Sequence, residues 1–202
     1  MDVTYGFENA LSDIERQRLF AYRYAVFVQR LGWALPQAQN GLEIDQFDRS
    51  DTIHVVARNT EGDICGCARL LPTSRPYLLS EVFPQLMGGR ALPSTDEVWE
   101  LSRFSATDLI GSTASPTWLC REVMAATIAC AMEVGAKRLI AVTSRGVERI
   151  LCRLGMNWQP IGVPMKVGGD AIFAFFVEID EITIAALSLE DRVVEMKCRL
   201  PV

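Results

Sequence analysis

The stretch that most limits the fold is Ala171-Ile172-Phe173-Ala174-Phe175-Phe176-Val177-Glu178-Ile179, which is almost wholly apolar. Side chains alternate between the two faces of a strand, so an apolar run needs cover on both faces. Such a strand belongs in the middle of a sheet. The residues before it supply the cover. Thr117 caps a predicted helix from Trp118 to Val134 that Gly135 closes, a strand follows over Arg138 to Thr143, and a helix over Gly146 to Leu154 ends at Gly155. Helix, strand, helix and strand in this order place helices against a mixed sheet.

The first half adds strands and one long helix. Val3 to Phe7 reads as a short opening strand or an extended arm. Ser12 and Asp13 cap a helix over residues 14–30, with Leu19, Phe20, Phe27 and Leu31 buried at helical spacing and Gly32 at its end. Residues 51–58 and 64–71 form a hairpin around Asn59-Thr60-Glu61-Gly62-Asp63. A short helical turn is expected near 79–86, a third strand over Val98 to Phe104, and a last helix and strand after Asp180. The expected fold is one α/β (α+β) domain over residues 1–202, with a mixed, largely antiparallel, twisted central sheet flanked by helices.

Composition removes several functions. Lys plus Arg number 20 against 25 acids, a net charge of −5, which argues against a nucleic-acid partner. No apolar run is long enough to cross a bilayer, and Met1-Asp2-Val3-Thr4-Tyr5 does not open a secretory signal, so cytoplasmic residence without a membrane is expected. The six cysteines, Cys65, Cys67, Cys120, Cys130, Cys152 and Cys198, read as thiols, and no zinc-ligand set or other metal site is expected. His54, the one histidine, reads as structural. There is no Gly-x-Gly-x-x-Gly and no Gly-Lys-Ser/Thr loop to cradle a nucleotide phosphate.

What remains is a set of carboxylates, arginines and aromatics. Asp45 and Asp48 flank Phe47 in the irregular stretch from Trp33 to Arg49. Arg23 and Phe27 share a helix face, and an arginine beside a core-facing aromatic is costly unless it meets an anion. Arg69 poses the same question within a strand. In Trp99-Glu100-Leu101-Ser102-Arg103-Phe104, Glu100 and Ser102 share one face and Leu101 and Arg103 the other, and a twist or bulge would bring both charges to one cleft. The set suits a zwitterionic substrate. Separate structural ion pairs would use the same residues.

In order and spacing, Arg23-x-x-x-Phe27, Arg30-Leu31-Gly32-Trp33, Asp45-x-x-Asp48, Arg69-Leu70-Leu71-Pro72-Thr73, Phe83-Pro84 and Glu100-Leu101-Ser102-Arg103-Phe104 resemble one family. It is that of the acyl-homoserine lactone synthases, the autoinducer synthases of bacterial quorum sensing, and the likeness runs to about residue 180. The resemblance implies a GNAT-like three-layer sandwich and an acyl transfer from acyl carrier protein to the amine of S-adenosylmethionine. Lactonisation then gives N-acyl-homoserine lactone and 5′-methylthioadenosine. S-adenosylmethionine is thus a substrate, and no cofactor is required.

Residue by residue, the resemblance makes Glu100 the base. Asp45 and Asp48 orient the amine and, with Arg23 and Arg103, close a mobile N-terminal region of about residues 14–50. Arg69 holds an anionic group or anchors a carboxylate. Phe27 and Trp33 wall the substrate site with Ser102 and Phe104, and Phe83 seats the loop. Met124, Val142 and Thr143, with Ile128, Met156 and Phe175, are candidates to cover the acyl chain, although helical spacing alone makes Met124 and Ile128 ordinary core, and Thr143 falls where members contact a 3-oxo group.

A monomer is expected, with a transient, acidic carrier protein as partner. Arg145, Arg149 and Arg153 recur every four residues on one helix face, with Lys137 and Arg138 just upstream, and would dock it. A solvated helix whose arginines pair with neighbours such as Glu148 would look the same. Two rival readings stay open: an ordinary GNAT enzyme using acetyl-coenzyme A, although its pyrophosphate loop pattern is absent from Thr107 to Ser115, and a non-catalytic binding domain.

Overall fold

The computed structural model describes residues 1–110, 115–190 and 197–198. They fall into two units: Met1–Arg69, Arg103–Ala126 and the described part of Met196–Val202 in the first, and Leu70–Ser102 and Thr127–Glu195 in the second. Two strands, β3 (Ile64–Pro72) and β4 (Val98–Ala106), contribute residues to both.

In the first unit, β1 (Asp2–Phe7) runs antiparallel to β2 (Ile53–Arg58), from Asp2 opposite Arg58 to Phe7 opposite Ile53. The short β8 (Lys197–Cys198) lies parallel to β1 on its other side. The turn into β3 forms as the sequence predicts, with the Asn59 amide donating to the Asp63 carbonyl at 2.9 Å.

Helix α1 (Asp13–Arg23) starts at Ser12 with a capping box, the Ser12 hydroxyl accepting from the Glu15 amide while Glu15 accepts from the Ser12 amide. It does not continue as an α-helix to residue 30. Tyr24–Arg30 is π-helical, and the Leu31 amide reaches the Val26 carbonyl, five residues back, at 3.0 Å. The wider turn changes the angular register. Leu19, Phe20 and Phe27 are buried with Tyr22, Val26, Val56 and Cys67, but Leu31, expected inside, is 53% exposed.

In the second unit, β7 (Asp170–Glu178) pairs antiparallel with β5 (Arg138–Ser144) along one edge and with β6 (Trp158–Val167) along the other. The apolar run therefore holds the interior place its composition requires. On the far side of β5, β4 pairs in parallel from Val98–Arg138 to Leu101–Ala141. The β6 strand was not expected from the sequence. Pro160, Gly162 and Pro164 punctuate it, and its register against β7 shifts between Ile161 and Met165.

The helices are α2 (Leu78–Val82), followed by a 3-10 turn at Pro84–Met87, then α3 (Pro116–Glu133), α4 (Arg145–Leu154) and α5 (Glu181–Leu187). Helix α3 begins before Thr117, the expected cap, because Pro116 occupies its first turn, where a missing N–H costs nothing. The predicted loop at 111–116 lies mostly outside the described residues. The sheet is mixed and mostly antiparallel, with helices flanking it. No helix among the described residues is long and apolar enough to cross a membrane.

Candidate active site

Three arginines and three carboxylates close a ring in the first unit. Arg23 donates to Glu43 at 2.6 Å and to both oxygens of Asp48 at 2.7 and 3.0 Å. Arg69 grips Asp45 at 2.6 and 3.0 Å and reaches Asp48 at 3.1 Å. Arg103 donates to Glu43 at 2.9 and 3.0 Å and to Asp45 at 2.9 Å. Charge alternates around the circuit Arg23, Glu43, Arg103, Asp45, Arg69, Asp48. Every member has two neighbours of opposite sign.

Local structure explains how so much charge is held inside. The Asn40-Gly41 turn, with φ 53 and 76, folds the loop back so that Gln39 and Leu42 exchange two backbone hydrogen bonds, and the Glu43 amide then reaches the Phe20 carbonyl at 3.1 Å. Asp45 and Asp48 brace their own turn, Asp45 accepting from the Phe47 amide and Asp48 from the Asp45 amide, both at 2.9 Å. Each guanidinium also lies over a phenylalanine, Arg23 over Phe20, Arg69 over Phe47 and Arg103 over Phe27, at 5.1 to 5.8 Å from the ring centre. Trp33, partly exposed, stacks on Phe27 at 4.9 Å.

Burial would raise the Glu43 and Asp48 carboxyl groups, but the arginines outweigh it. Hydrogen bonds from Arg103 and the charges of Arg23 and Arg103 hold Glu43 below the usual carboxylate range, and Arg23 and Arg69 do the same for Asp48. Five of the six side chains are at most 6% exposed, and Asp45 reaches 11%, so Asp45 is where the ring meets its surroundings.

Arg103 bends its strand to get there. Its φ of 50 lies in the left-handed region, a conformation that costs a non-glycine residue on the order of 1–3 kcal/mol. The Cys67 thiol donates to the Arg103 carbonyl at 3.2 Å at this kink. Burial pushes that thiol up to about 12, which keeps it protonated as a donor. Phe104, next along, packs with Ala57, Cys65, Leu119 and Val123.

His54 borders the ring without joining it. Its Nε2 has no hydrogen-bond partner and stands 3.8 Å from Asp48. Burial lowers it from 6.5 to about 3, against the attraction of Asp48. The unfolded chain therefore binds a proton that the folded chain refuses between pH 6.5 and 3, so stability is lost as pH falls through that window. The slope from this one group approaches about 1.4 kcal/mol per pH unit only well below pH 6.5, so urea unfolding should show a loss of about 2 kcal/mol between pH 7 and 5. His54→Gln should flatten it; a variant with the unchanged slope would remove His54 as the cause.

Glu100 belongs to the second unit. Its Oε2 accepts from the Leu78 amide and its Oε1 from the Leu79 amide, both at 2.7 Å, at the start of α2. Ser102 is buried, and Phe83 sits half-buried where α2 meets the 3-10 turn. Val142 and Thr143 are half-buried on β5 opposite Ala174 and Phe173, while Ile128, Met156 and Phe175 are buried in the same unit and Met124 in the first. Of the basic residues, Lys137 pairs with Glu97, and Arg138 pairs with Glu178 at 2.7 Å and lies over Phe176. Arg149 and Arg153 are exposed on α4. The Arg145 backbone opens α4, and its side chain lies outside the described residues.

Arg23, Asp45, Asp48, Arg69 and Arg103 stand out in the sequence and meet here, whereas Glu43, which bonds two of the three arginines, does not stand out. A signal was present in Leu42-Glu43-Ile44-Asp45, whose alternation puts Glu43 and Asp45 on one side. Among the described residues, Cys65, Cys67, Cys120 and Cys152 are free thiols, and no group of three His, Cys, Asp or Glu residues could hold a metal ion.

The fold is that of the N-acyltransferases. An acyl-CoA N-acyltransferase from Pseudomonas aeruginosa superposes with a TM-score of 0.60 at 15% identity, over 87% of this chain and 97% of that one. Residues 8–187 match the family described as autoinducer synthase, and the chain belongs to it. It is 46% identical over 171 residues to the acyl-homoserine-lactone synthase of Ralstonia nicotianae, covering 83% of this chain and 84% of that protein. TofI, solved in a ternary complex with an inhibitor and MTA, has a TM-score of 0.84 at 43% identity, over 94% and 97% of the two chains. BjaI, a CoA-dependent acyl-homoserine lactone synthase solved with MTA, has a TM-score of 0.85 at 25% identity, over 100% and 94%. The chain is an acyltransferase that makes acyl-homoserine lactones.

Proposed function

We propose that this synthase takes its acyl group as a thioester from an acyl carrier protein and gives it to the amine of S-adenosylmethionine. The observation that carries this reading is the charged ring. A zwitterionic amino acid needs anions for its ammonium and cations for its carboxylate, and the ring presents both within one connected set. Asp45, its most accessible carboxylate, orients the amine with Asp48 behind it. The segment of about residues 14–50, which carries Arg23 and all three ring acids, closes over the substrate. Phe27 and Trp33 face the sulfonium, with Phe104 and Ser102 completing the walls. Met124, Val142 and Thr143 cover the acyl chain.

The chemistry has two steps. Glu100, directly or through a water, takes a proton from the ammonium, and the neutral amine attacks the thioester carbonyl and expels the carrier thiol. The substrate carboxylate then attacks its own γ-carbon, the C–S bond breaks, and the lactone and 5′-methylthioadenosine leave. The second step is intramolecular, so orientation supplies most of the acceleration.

The exposed Arg149 and Arg153 on α4 suit an acidic carrier protein, with Arg145 preceding them and Lys137 and Arg138 nearby in sequence. BjaI makes acyl-coenzyme A the second reading of the donor. One experiment compares them: the purified enzyme with S-adenosylmethionine, offered matched acyl carrier protein and acyl-coenzyme A, with lactone read by mass spectrometry. The expected result is lactone from the carrier-protein thioester, with a KM for the carrier protein that rises about 10-fold in Arg149→Glu/Arg153→Glu at low salt and an unchanged KM for S-adenosylmethionine. An unchanged carrier-protein KM removes the docking face. Lactone from acyl-coenzyme A alone replaces the donor.

A further inference from the structure

In the second unit, the backbone of β6 touches the backbone of the turn that follows α2. Gly162 has φ 60, and a Cβ there would land on the Leu86 carbonyl oxygen and lie 3.0 Å from the Gly88 nitrogen. Gly88 has φ 59, and a Cβ there would meet the Gly162 Cα at 2.9 Å. No side chain fits between the two segments at either position. The contact falls within the register shift between Ile161 and Met165, so the bulge is what brings β6 onto the turn. Past the bulge, the Gln85 side-chain Nε2 donates to the Met165 sulfur at 3.5 Å and adds a second tie.

The turn that β6 holds is the far end of the segment whose near end meets Glu100. Leu78 and Leu79 donate to the two Glu100 oxygens, the Phe83 amide reaches the Leu79 carbonyl at 3.2 Å, and the Leu86 amide reaches the Phe83 carbonyl at 3.0 Å. A chain of hydrogen bonds thus runs from the Glu100 carboxylate through the backbone to Leu86. With only five residues in α2 and four in the 3-10 turn, the segment is too short to hold its own shape. It is fixed at its ends.

We propose that Gly162 is a positioning residue for the acyl transfer: its backbone contact with Leu86–Gly88 keeps the Leu78–Met87 segment seated, and with it the two amides that aim the Glu100 carboxylate. This rests on Glu100 acting as the base. Gly162 touches no reacting atom and works through Leu78 and Leu79.

The test compares two glycines with the same backbone angle. Gly168 has φ 58 and nothing within 4 Å, so Gly168→Ala carries the backbone strain of Gly162→Ala without its collision. Gly162→Ala should lower kcat by about 10- to 100-fold, the size of a misplacement near 1 Å, with KM for S-adenosylmethionine within about twofold of the parent. Hydrogen exchange at the Leu78 and Leu79 amides should speed up in the same protein. Gly168→Ala should match the parent in kcat, KM and exchange. Should Gly162→Ala fail to fold, Gly88→Ala, with its milder contact, is read in the same way. Parental kcat with protected amides in the folded variant overturns the proposal, as does an equal loss in Gly168→Ala. Full activity in Glu100→Gln would instead remove the base, and with it the reason for aiming Glu100.

Discussion

Glu100→Gln is expected to lower lactone formation by about 10²- to 10⁴-fold, the range seen when a positioned proton acceptor is removed. Glutamine is nearly the same size, so the core around it is kept. The exchange is not silent structurally, because the carboxylate offers an acceptor to each of the Leu78 and Leu79 amides and glutamine replaces one acceptor with a donor. One amide then faces an N–H. Turnover should therefore be measured beside thermal unfolding and the KM for S-adenosylmethionine. The expected pattern is a collapsed kcat, a small loss of Tm and a nearly constant KM. Parental turnover would exclude Glu100 as the base. A Tm loss large enough to leave the protein unfolded at the assay temperature would assign the defect to α2.

The second large effect is on stability. Glu43→Ala removes an acid that serves both Arg23 and Arg103 and leaves two buried guanidinium groups short of a partner. Breaking a buried ion pair from one side costs about 3–5 kcal/mol, which for a chain of this size lowers Tm by roughly 10 °C. The cause of such a loss is the uncompensated charge. Glu43→Ala/Arg103→Met, which restores neutrality, should then cost less than the sum of the two single changes. Urea unfolding of the four proteins measures this. Strict additivity, or a loss below about 1 kcal/mol in Glu43→Ala, would mean that the ring is not held as a coupled unit.

Much of this was legible in the residues, for physical reasons. The run from Ala171 to Ile179 could be satisfied only by cover on two faces, and it lies between β5 and β6. The predicted hairpin at Asn59–Asp63 and the Ser12 cap depend on local chemistry that a few residues settle. What escaped depends on partners distant in sequence. The π-helical turn that swings Leu31 outward leaves no mark in spacing. Glu43 reads as a surface acid until Arg23 and Arg103 are placed on either side of it. The backbone amides that engage Glu100 belong to residues some twenty positions away, and no side-chain pattern announces an amide. The left-handed Arg103 was foreshadowed only as a possible bulge, since strand sequence does not say which residue will bend.

The prolines that hid β6 from a reading of the sequence also limit what can approach it. This strand stands at one end of the sheet order, so among the described residues one of its edges has no neighbouring strand. An open edge is a template on which another polypeptide can add a strand and start an aggregate. Pro160 and Pro164 carry no N–H, and the register shift between Ile161 and Met165 breaks the even spacing that an added strand would have to match. A long run of regular pairing on that edge is therefore disfavoured by the covalent structure of the chain itself.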